Sequence, residues 1–377
     1  MVSLVKPDSF KISAKHTKTN IYGLAFILKT TRKNAVGYAL MAEIFNNGSR
    51  VFKGPVEMNT RLNNMDGAVF NAGCVKKGDN ICLCISLECL KSVPCHTAEG
   101  FIDDIVFKPM LNGEAFDTFV FKKAYETLKE RILCRRDDKK SYAMDRCLEE
   151  MYGGEGFGIP EDGFIEDLEG YTAEELFRLY DRTILSGRHM EKGITGEAAK
   201  ENIPCTKGVK EIDEDMGTEQ GRLCLGFTAD GAEYIHLLVL NEILGGNAGS
   251  KLFNTVREKE NLCYYVNSTV FRFKNIITVQ AGIEKEEKDK TAKLIVKAVE
   301  DIKNDITDKD VKRAKEAVKN ILLSKQDRLY GLMDNIIDRA IGGEDLEEML
   351  KQVDTVSIKD TVKAAQCLKL NTKYFLA

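Results

Sequence analysis

The stretch GGNAGSKLFNTVREKENLCYYVNS, residues 245–268, says most about the fold. It begins with a loop of small residues, after which Leu-Phe, Val-Arg-Glu and Leu-Cys-Tyr follow in order. The apolar helical stretch EYIHLLVLNEIL (233–244) precedes it, and the strand-like stretches RLCLGFTAD (222–230) and NIITVQAGIE (275–284) lie on either side. The second half of the chain is therefore built in the order strand, helix, small-residue loop, strand.

The first half of the chain repeats this order of elements. Its corresponding segments are IYGLAFILKT (21–30), AVGYALMAEIF (35–45), NNGS (46–49), RLNNMDGAVFNAG (61–73) and NICLCISLE (80–88). Glu43-Ile44 and Glu242-Ile243 fall at matching points of the two halves, as do Gly48-Ser49 and Gly249-Ser250. A repeat of this length predicts two domains built on one plan.

Long helical patterns follow each group of strands, at 115–133 in the first half and at 289–304 and 308–336 in the second. Strand pairs of this kind, combined with long helices, favour the α+β class with antiparallel-rich sheets. The polar stretch 194–220 contains Gly, Pro and charged residues with little apolar periodicity, so it is predicted to be a linker. The expected domains are residues 1–193 and 221–377.

The composition is that of an ordinary globular protein, with 377 residues, 43% hydrophobic residues and a net charge of −4. Lys and Arg are interspersed with Asp and Glu, which argues against nucleic-acid binding. The first twenty residues contain no apolar core of signal-peptide length, and no stretch approaches a membrane span of about 18 uncharged residues. We therefore expect a cytoplasmic protein whose eleven cysteines are reduced.

With these segments in order, nearly the whole chain resembles the insulinase-type (M16, M16B-like) zinc metallopeptidases. Residues 245–268 are similar to the second-domain motif of that family. The resemblance implies two duplicated domains of the insulinase and mitochondrial-processing-peptidase type, each with an antiparallel-rich sheet packed against helices.

The helix GYALMAEIFNNGS, residues 37–49, is similar in register to the segment that carries the inverted zinc motif His-x-x-Glu-His in the family. In this register Tyr38, Met41 and Ala42 occupy the positions of the first His, the Glu and the second His. Zinc needs imidazole, thiolate or carboxylate ligands, so these three residues form a degenerate motif. No metal or other cofactor is expected in this chain.

Other candidate zinc ligands are scattered along the chain. The four histidines are His16, His96, His189 and His236, and no two have the spacing of three or four residues that a helix-borne pair needs. The third ligand of the family corresponds loosely to KKAYETLKERIL (122–133), where Glu126 and Glu130 are interpreted as part of a solvated helix face. The resemblance to zinc enzymes therefore does not extend to zinc binding.

The resemblance implies a role for two residues of the second half, Arg257 and Tyr264. In catalytic family members an Arg and a Tyr at these positions hold the scissile region of a peptide. A guanidinium and a phenol hydroxyl can each donate a hydrogen bond to a carbonyl oxygen that gains charge. The alternative is that Arg257 pairs with Glu258 or Glu260 and that Tyr264 belongs to the core, and the adjacent Tyr265 leaves open which ring is available.

We expect this chain to be a catalytically incomplete subunit that pairs with a zinc-binding M16 partner carrying His-x-x-Glu-His, where the zinc is expected. The heterodimer would cleave peptides, with the precursor of a modified peptide as one candidate, and Arg257 and Tyr264 would act in trans. The alternative is a non-catalytic peptide-binding or scaffold pseudo-peptidase, including a homodimeric one or a structural core subunit. A third alternative is an autonomous zinc enzyme with unusual ligands.

Overall fold

Two five-stranded β-sheets form the centres of two packing units. The computed structural model describes residues 2–6, 9–154, 156–186 and 208–377. The first sheet contains β1 to β5, which are Val2–Lys6, Ser9–Ser13, Thr19–Lys29, Val69–Lys77 and Asn80–Leu90. The second sheet contains β6 to β10, which are Lys210–Glu214, Gly221–Thr228, Cys263–Phe271, Ile276–Ile283 and Lys369–Leu376.

Thirteen α-helices lie in the described residues, none of them long and apolar enough to cross a membrane. They are α1 Arg32–Asn46, α2 Pro55–Asn63, α3 Cys95–Val106, α4 Thr118–Cys134, α5 Lys139–Tyr152, α6 Ile165–Glu169 and α7 Ala173–Tyr180. The remainder are α8 Tyr234–Leu244, α9 Lys288–Asp301, α10 Asp308–Gln326, α11 Leu329–Ala340, α12 Leu346–Thr355 and α13 Ile358–Cys367.

The first unit combines residues 1–134, 155–197 and 326–342. Its sheet has the order β1-β2-β3-β5-β4 and is antiparallel throughout. Alternate residues of β3 and β5 face the main core formed with α1, α3, α4 and α7, as the two-residue period of a strand requires. The opposite face of the sheet is covered by α11, where Ile337 packs against the thiols of Cys82 and Cys84.

The second unit combines residues 135–154, 198–325 and 343–377. Its sheet has the order β6-β10-β7-β9-β8, in which only the β6–β10 pair is parallel. Helices α8, α9, α10, α12 and α13 contribute to the core on one face. On the other face α5 lies so close to β7 that a Cβ atom at Gly226 would come within 2.2 Å of the Met151 sulfur.

The structure confirms the α+β class and the two antiparallel-rich sheets packed with helices. Helices α5 and α11 each pack with a different unit from the segments on either side of them in sequence. Helix α5 belongs to the second unit and α11 to the first. The boundaries expected at 1–193 and 221–377 stay a prediction, and residues 194–207 of the expected linker lie outside the described residues. The stretch Lys210–Glu214 within the expected linker forms β6, because it pairs with β10.

A carboxylate on β6 connects α5 to the second sheet. The hydroxyl groups of Tyr142 and Tyr374 donate to the two oxygens of Glu214 over 2.7 and 2.6 Å, and Arg146 Nε donates over 3.2 Å. Burial alone would raise the pKa of the Glu214 carboxyl, but the hydrogen bonds from Tyr374, Tyr142 and Arg146 outweigh burial and lower this pKa. A carboxyl whose pKa is lowered by folding stabilises the protein at neutral pH and loses this effect as the pH falls.

We expect Glu214→Gln to lower the free energy of unfolding of the second unit by about 1 to 2 kcal/mol at pH 7, because charged hydrogen-bond acceptors contribute more than neutral ones. The difference from the unsubstituted protein should shrink as the pH falls below about 4, the ordinary range of a glutamate. Urea unfolding at several pH values measures both effects. Glu219→Gln, an exposed position, is the control, and a difference that persists unchanged at pH 3 would contradict the assignment.

Candidate functional site

Helix α1 carries the three positions of the degenerate zinc motif. Thr31 caps its N-terminus by accepting a hydrogen bond from the Asn34 backbone over 3.1 Å. Every residue from Ala35 to Phe45 is buried, so α1 is a core helix that is covered on all sides rather than an amphipathic surface helix.

The side chains at the motif positions do not fit a zinc ion. Tyr38 and Met41 are 0% exposed and Ala42 is 2% exposed, all within the main core of the first unit. Burial raises the pKa of the Tyr38 hydroxyl far above its ordinary value, so the phenol stays neutral. A neutral phenol, a thioether and a methyl group provide neither the ligand set of zinc nor a general base.

An ion-pair cluster lies immediately beyond these positions. Arg131 of α4 makes a bidentate contact with Asp162, with Nε and Nη2 each 2.8 Å from a carboxylate oxygen, and its Nη1 donates to the buried Glu43 of α1. Burial would lower the pKa of the Arg131 guanidinium, but the hydrogen bonds and charges of Asp162 and Glu43 outweigh it and raise that pKa. The helix that corresponds to the third-ligand segment of the family thus directs a cation towards α1.

We expect Arg131→Ala to lower the free energy of unfolding of the first unit by about 1 to 3 kcal/mol, because it leaves the buried Glu43 carboxylate unpaired. The range extends down to about 1 kcal/mol because the outer part of Arg131 is exposed, and solvent weakens exposed ion pairs. Urea unfolding measures the loss, and Lys123→Ala on the exposed face of α4 is the control, with a change within about 0.5 kcal/mol. Equal stability of the two variants would show that the cluster does not anchor α4 to α1.

The remaining metal-ligand candidates lie apart from one another. His16 Nε2 is 2.8 Å from the Asp327 carbonyl oxygen, His236 is 3.8 Å from Glu233, and His189 is outside the described residues. Glu126 and Glu130 are exposed on α4, which agrees with a solvated helix face. Within the described residues no three His, Cys, Asp or Glu side chains are grouped to hold a metal ion.

Arg257 lies on a π-helical turn, Phe253–Lys259, which follows the small-residue loop. Val256 anchors this turn in the core, whereas Arg257 is exposed and its guanidinium carbon is 4.9 Å from the centre of the Phe253 ring. Arg257 forms no ion pair within the described residues, and Glu260 lies instead 3.7 Å from Lys290. The guanidinium donors of Arg257 are therefore directed to solvent, and π-helical turns of this kind are frequent at functional sites.

Tyr264 lies at a β-bulge at the start of β8. Cys263 pairs with Ile283 and Tyr265 pairs with Gly282, so Tyr264 is the extra residue between two pairs. Its side chain is 50% exposed, and its hydroxyl group donates a hydrogen bond to Glu284. Tyr264 is thus a surface residue and not a core residue.

Tyr265 has a different environment. Its ring packs against Gly282, where a Cβ atom would lie 2.4 Å from a ring carbon, and it lies between Lys140 and Arg222, whose charges are 4.7 and 6.0 Å from the ring centre. Burial raises the pKa of its hydroxyl to about 12. Of the two adjacent tyrosines, Tyr264 is the one with the exposed ring.

The motif positions on α1 are therefore buried, whereas Arg257 and Tyr264 are exposed. Comparison with known proteins shows which proteins this chain is similar to. Residues 173–318 match the family model described as peptidase M16 inactive domain. A relative from Bacillus subtilis strain 168, named probable inactive metalloprotease YmfF, is 26% identical over 99% of this chain and 94% of its own length. The chain is thus similar to an M16-type protein over nearly its whole length.

Two further similarities are to a protein named as a zinc protease and to a solved inactive domain. A second Bacillus subtilis protein, named uncharacterized zinc protease YmxG, is 26% identical over 67% of this chain and 69% of its own length. The crystal structure of a peptidase M16 inactive domain from Pseudomonas fluorescens covers all of this chain and 96% of its own, with a TM-score of 0.76 and 18% identity. The M16-type fold that the resemblance implied is confirmed.

Proposed function

We propose that this chain is the subunit without zinc of a heterodimeric M16 metallopeptidase, and that it contributes Arg257 and Tyr264 to the binding of a peptide. One observation carries the proposal: the motif positions on α1 are filled by core side chains, while Arg257 is exposed and has no carboxylate partner within the described residues. An exposed guanidinium without a carboxylate partner has hydrogen-bond donors available for a group of another molecule.

The chemistry of Arg257 suits a peptide bond under attack. A guanidinium is always protonated and presents several N–H donors in a rigid plane. Such donors stabilise a carbonyl oxygen that gains negative charge, provided that the hydrolytic machinery faces them. The partner would provide the zinc, because the residues on α1 do not fit a metal ion.

The relatives support a pairing of unlike chains. In Bacillus subtilis one relative is named as inactive and another as a zinc protease, so chains of both kinds occur in one organism. A complex of the two kinds would combine one metal site with one Arg/Tyr pair. The substrate would be a peptide or a small unfolded chain, with the precursor of a modified peptide as one candidate.

The proposal is tested by affinity purification of the tagged chain from its own organism, followed by sedimentation of the two purified chains together. We expect a co-purifying M16 chain that contains His-x-x-Glu-His, and a stable one-to-one complex. A chain that sediments only by itself or as a homodimer in the presence of every such candidate would contradict the proposal. Peptide binding by that homodimer without cleavage would support the scaffold alternative.

A further inference from the structure

The position of Tyr264 is fixed by its neighbours on both strands. The Tyr265 ring packs on Gly282 on the opposite strand, which holds the bulge in place. Glu284 follows Ile283 directly, and its carbonyl oxygen accepts a hydrogen bond from the Glu287 backbone over 3.1 Å. Tyr264 on β8 and Glu284, directly after the end of β9, are therefore close neighbours whose backbones are held in place.

The hydrogen bond between these two side chains has a defined direction. A carboxylate only accepts hydrogen bonds, so the proton in this bond is that of the Tyr264 hydroxyl group. A phenol has a single O–H donor, and with this donor directed to Glu284 its oxygen can offer only lone pairs to another molecule. The negative charge of the acceptor also makes the phenol oxygen a better acceptor in turn.

Arg257 lies seven residues before Tyr264 and offers complementary hydrogen-bonding groups. Its guanidinium has donors only, and none is engaged by Glu258 or Glu260 in an ion pair. The segment 257–264 also exposes Glu258, Lys259, Glu260 and Asn261, and among its exposed side chains Arg257 offers only donors while Tyr264 offers an acceptor. A peptide unit offers one C=O acceptor and one N–H donor, which is the matching set.

We propose that Glu284 is a positioning residue that orients the Tyr264 hydroxyl, so that Tyr264 accepts a hydrogen bond from a backbone N–H of the substrate while Arg257 donates to a carbonyl. This inference rests on the proposed function, and it replaces the expectation that both side chains donate. The substrate class that follows is a peptide with a free backbone N–H beside the carbonyl held by Arg257. A peptide that is N-methylated at that position lacks this donor.

The test uses the assembled complex with its zinc-bearing partner and a set of peptides carrying a single N-methyl group at successive positions. We expect one N-methylated peptide to have a KM about threefold to tenfold higher, as the loss of one hydrogen bond predicts. Tyr264→Phe and Glu284→Ala should each raise KM for the unmodified peptide by a similar factor with little change in kcat. Both variants should abolish the extra penalty of that N-methyl group.

A matched control is Glu286→Ala, an exposed glutamate two residues further along the chain, for which the kinetics should be unchanged. A readout that needs no partner is the NMR signal of the ¹³Cζ-labelled Tyr264 ring, which should shift in Glu284→Ala and not in Glu286→Ala. An N-methyl penalty that is equal in the Tyr264→Phe variant, or a higher kcat in Glu284→Ala, would overturn the inference by showing that Tyr264 donates. Loss of activity in Arg257→Ala would still support the proposed function in that case.

Discussion

Replacing Arg257 with alanine should reduce turnover by the assembled peptidase by about a hundredfold or more, while leaving the assembly intact. The expected size follows from the loss of one preorganised donor to a carbonyl oxygen that gains charge in the transition state. Arg257 is exposed on its π-helical turn and has no ion-pair partner in the described part of the chain, so its removal should not disturb the fold. The measurement is kcat with a peptide substrate, alongside sedimentation of the complex.

The control for this prediction is Lys259→Ala, which removes an exposed cation from the same turn. Turnover should stay within about twofold of the unsubstituted complex, because an exposed charge contributes little beyond long-range steering. Unchanged turnover in Arg257→Ala would remove Arg257 from the site. An equal loss in both variants would show a general effect of positive charge and not a specific hydrogen bond.

Met41→Glu should unfold the first unit or destabilise it by at least about 4 kcal/mol. Met41 is 0% exposed in the middle of α1, so the substitution places a carboxylate in the core without a cation to pair with it. The substitution also restores the glutamate of the zinc motif, so we expect that the motif cannot be rebuilt one residue at a time. Circular dichroism and urea unfolding measure the effect.

Met41→Leu is the matched control, because a hydrophobic residue of similar volume should cost less than about 1.5 kcal/mol. A Met41→Glu variant as stable as this control would show that the position faces water. The motif positions would then be open to a metal, and the assignment of α1 as a sealed core helix would be wrong.

Much of the fold could be predicted from the sequence because local patterns decide it. The strand-like apolar stretches of β3 and β5, the apolar helices and the small-residue loop at 245–250 are each evident within one stretch of chain. The packing of α5 and α11 could not be predicted in this way, since an amphipathic pattern identifies the face that is buried and not the sheet that covers it. For the same reason the single helical pattern at 308–336 did not reveal the break between α10 and α11.

Of the candidate site, only the residues that belong to a family motif could be predicted from the sequence. The resemblance identified Arg257, Tyr264 and the altered zinc positions. The burial of the zinc positions on α1 explains why they cannot bind a metal ion. The cluster of Glu43, Arg131 and Asp162 joins residues 88 apart and 31 apart, and Arg131 resembled any other charge on a solvated helix. Glu284 was equally hidden, because a bulge in β8 brings it to Tyr264 and strand periodicity does not predict bulges.

The most direct test of the central claim is a peptide-cleavage assay of this chain alone, of its zinc-bearing M16 partner alone, and of the two mixed in increasing ratio. We expect cleavage by the mixture only, with a rate that saturates at one chain of each kind and disappears when zinc is removed by a chelator. Cleavage by this chain alone, or by the partner alone at the rate of the mixture, would contradict the claim that the two chains complete one active site.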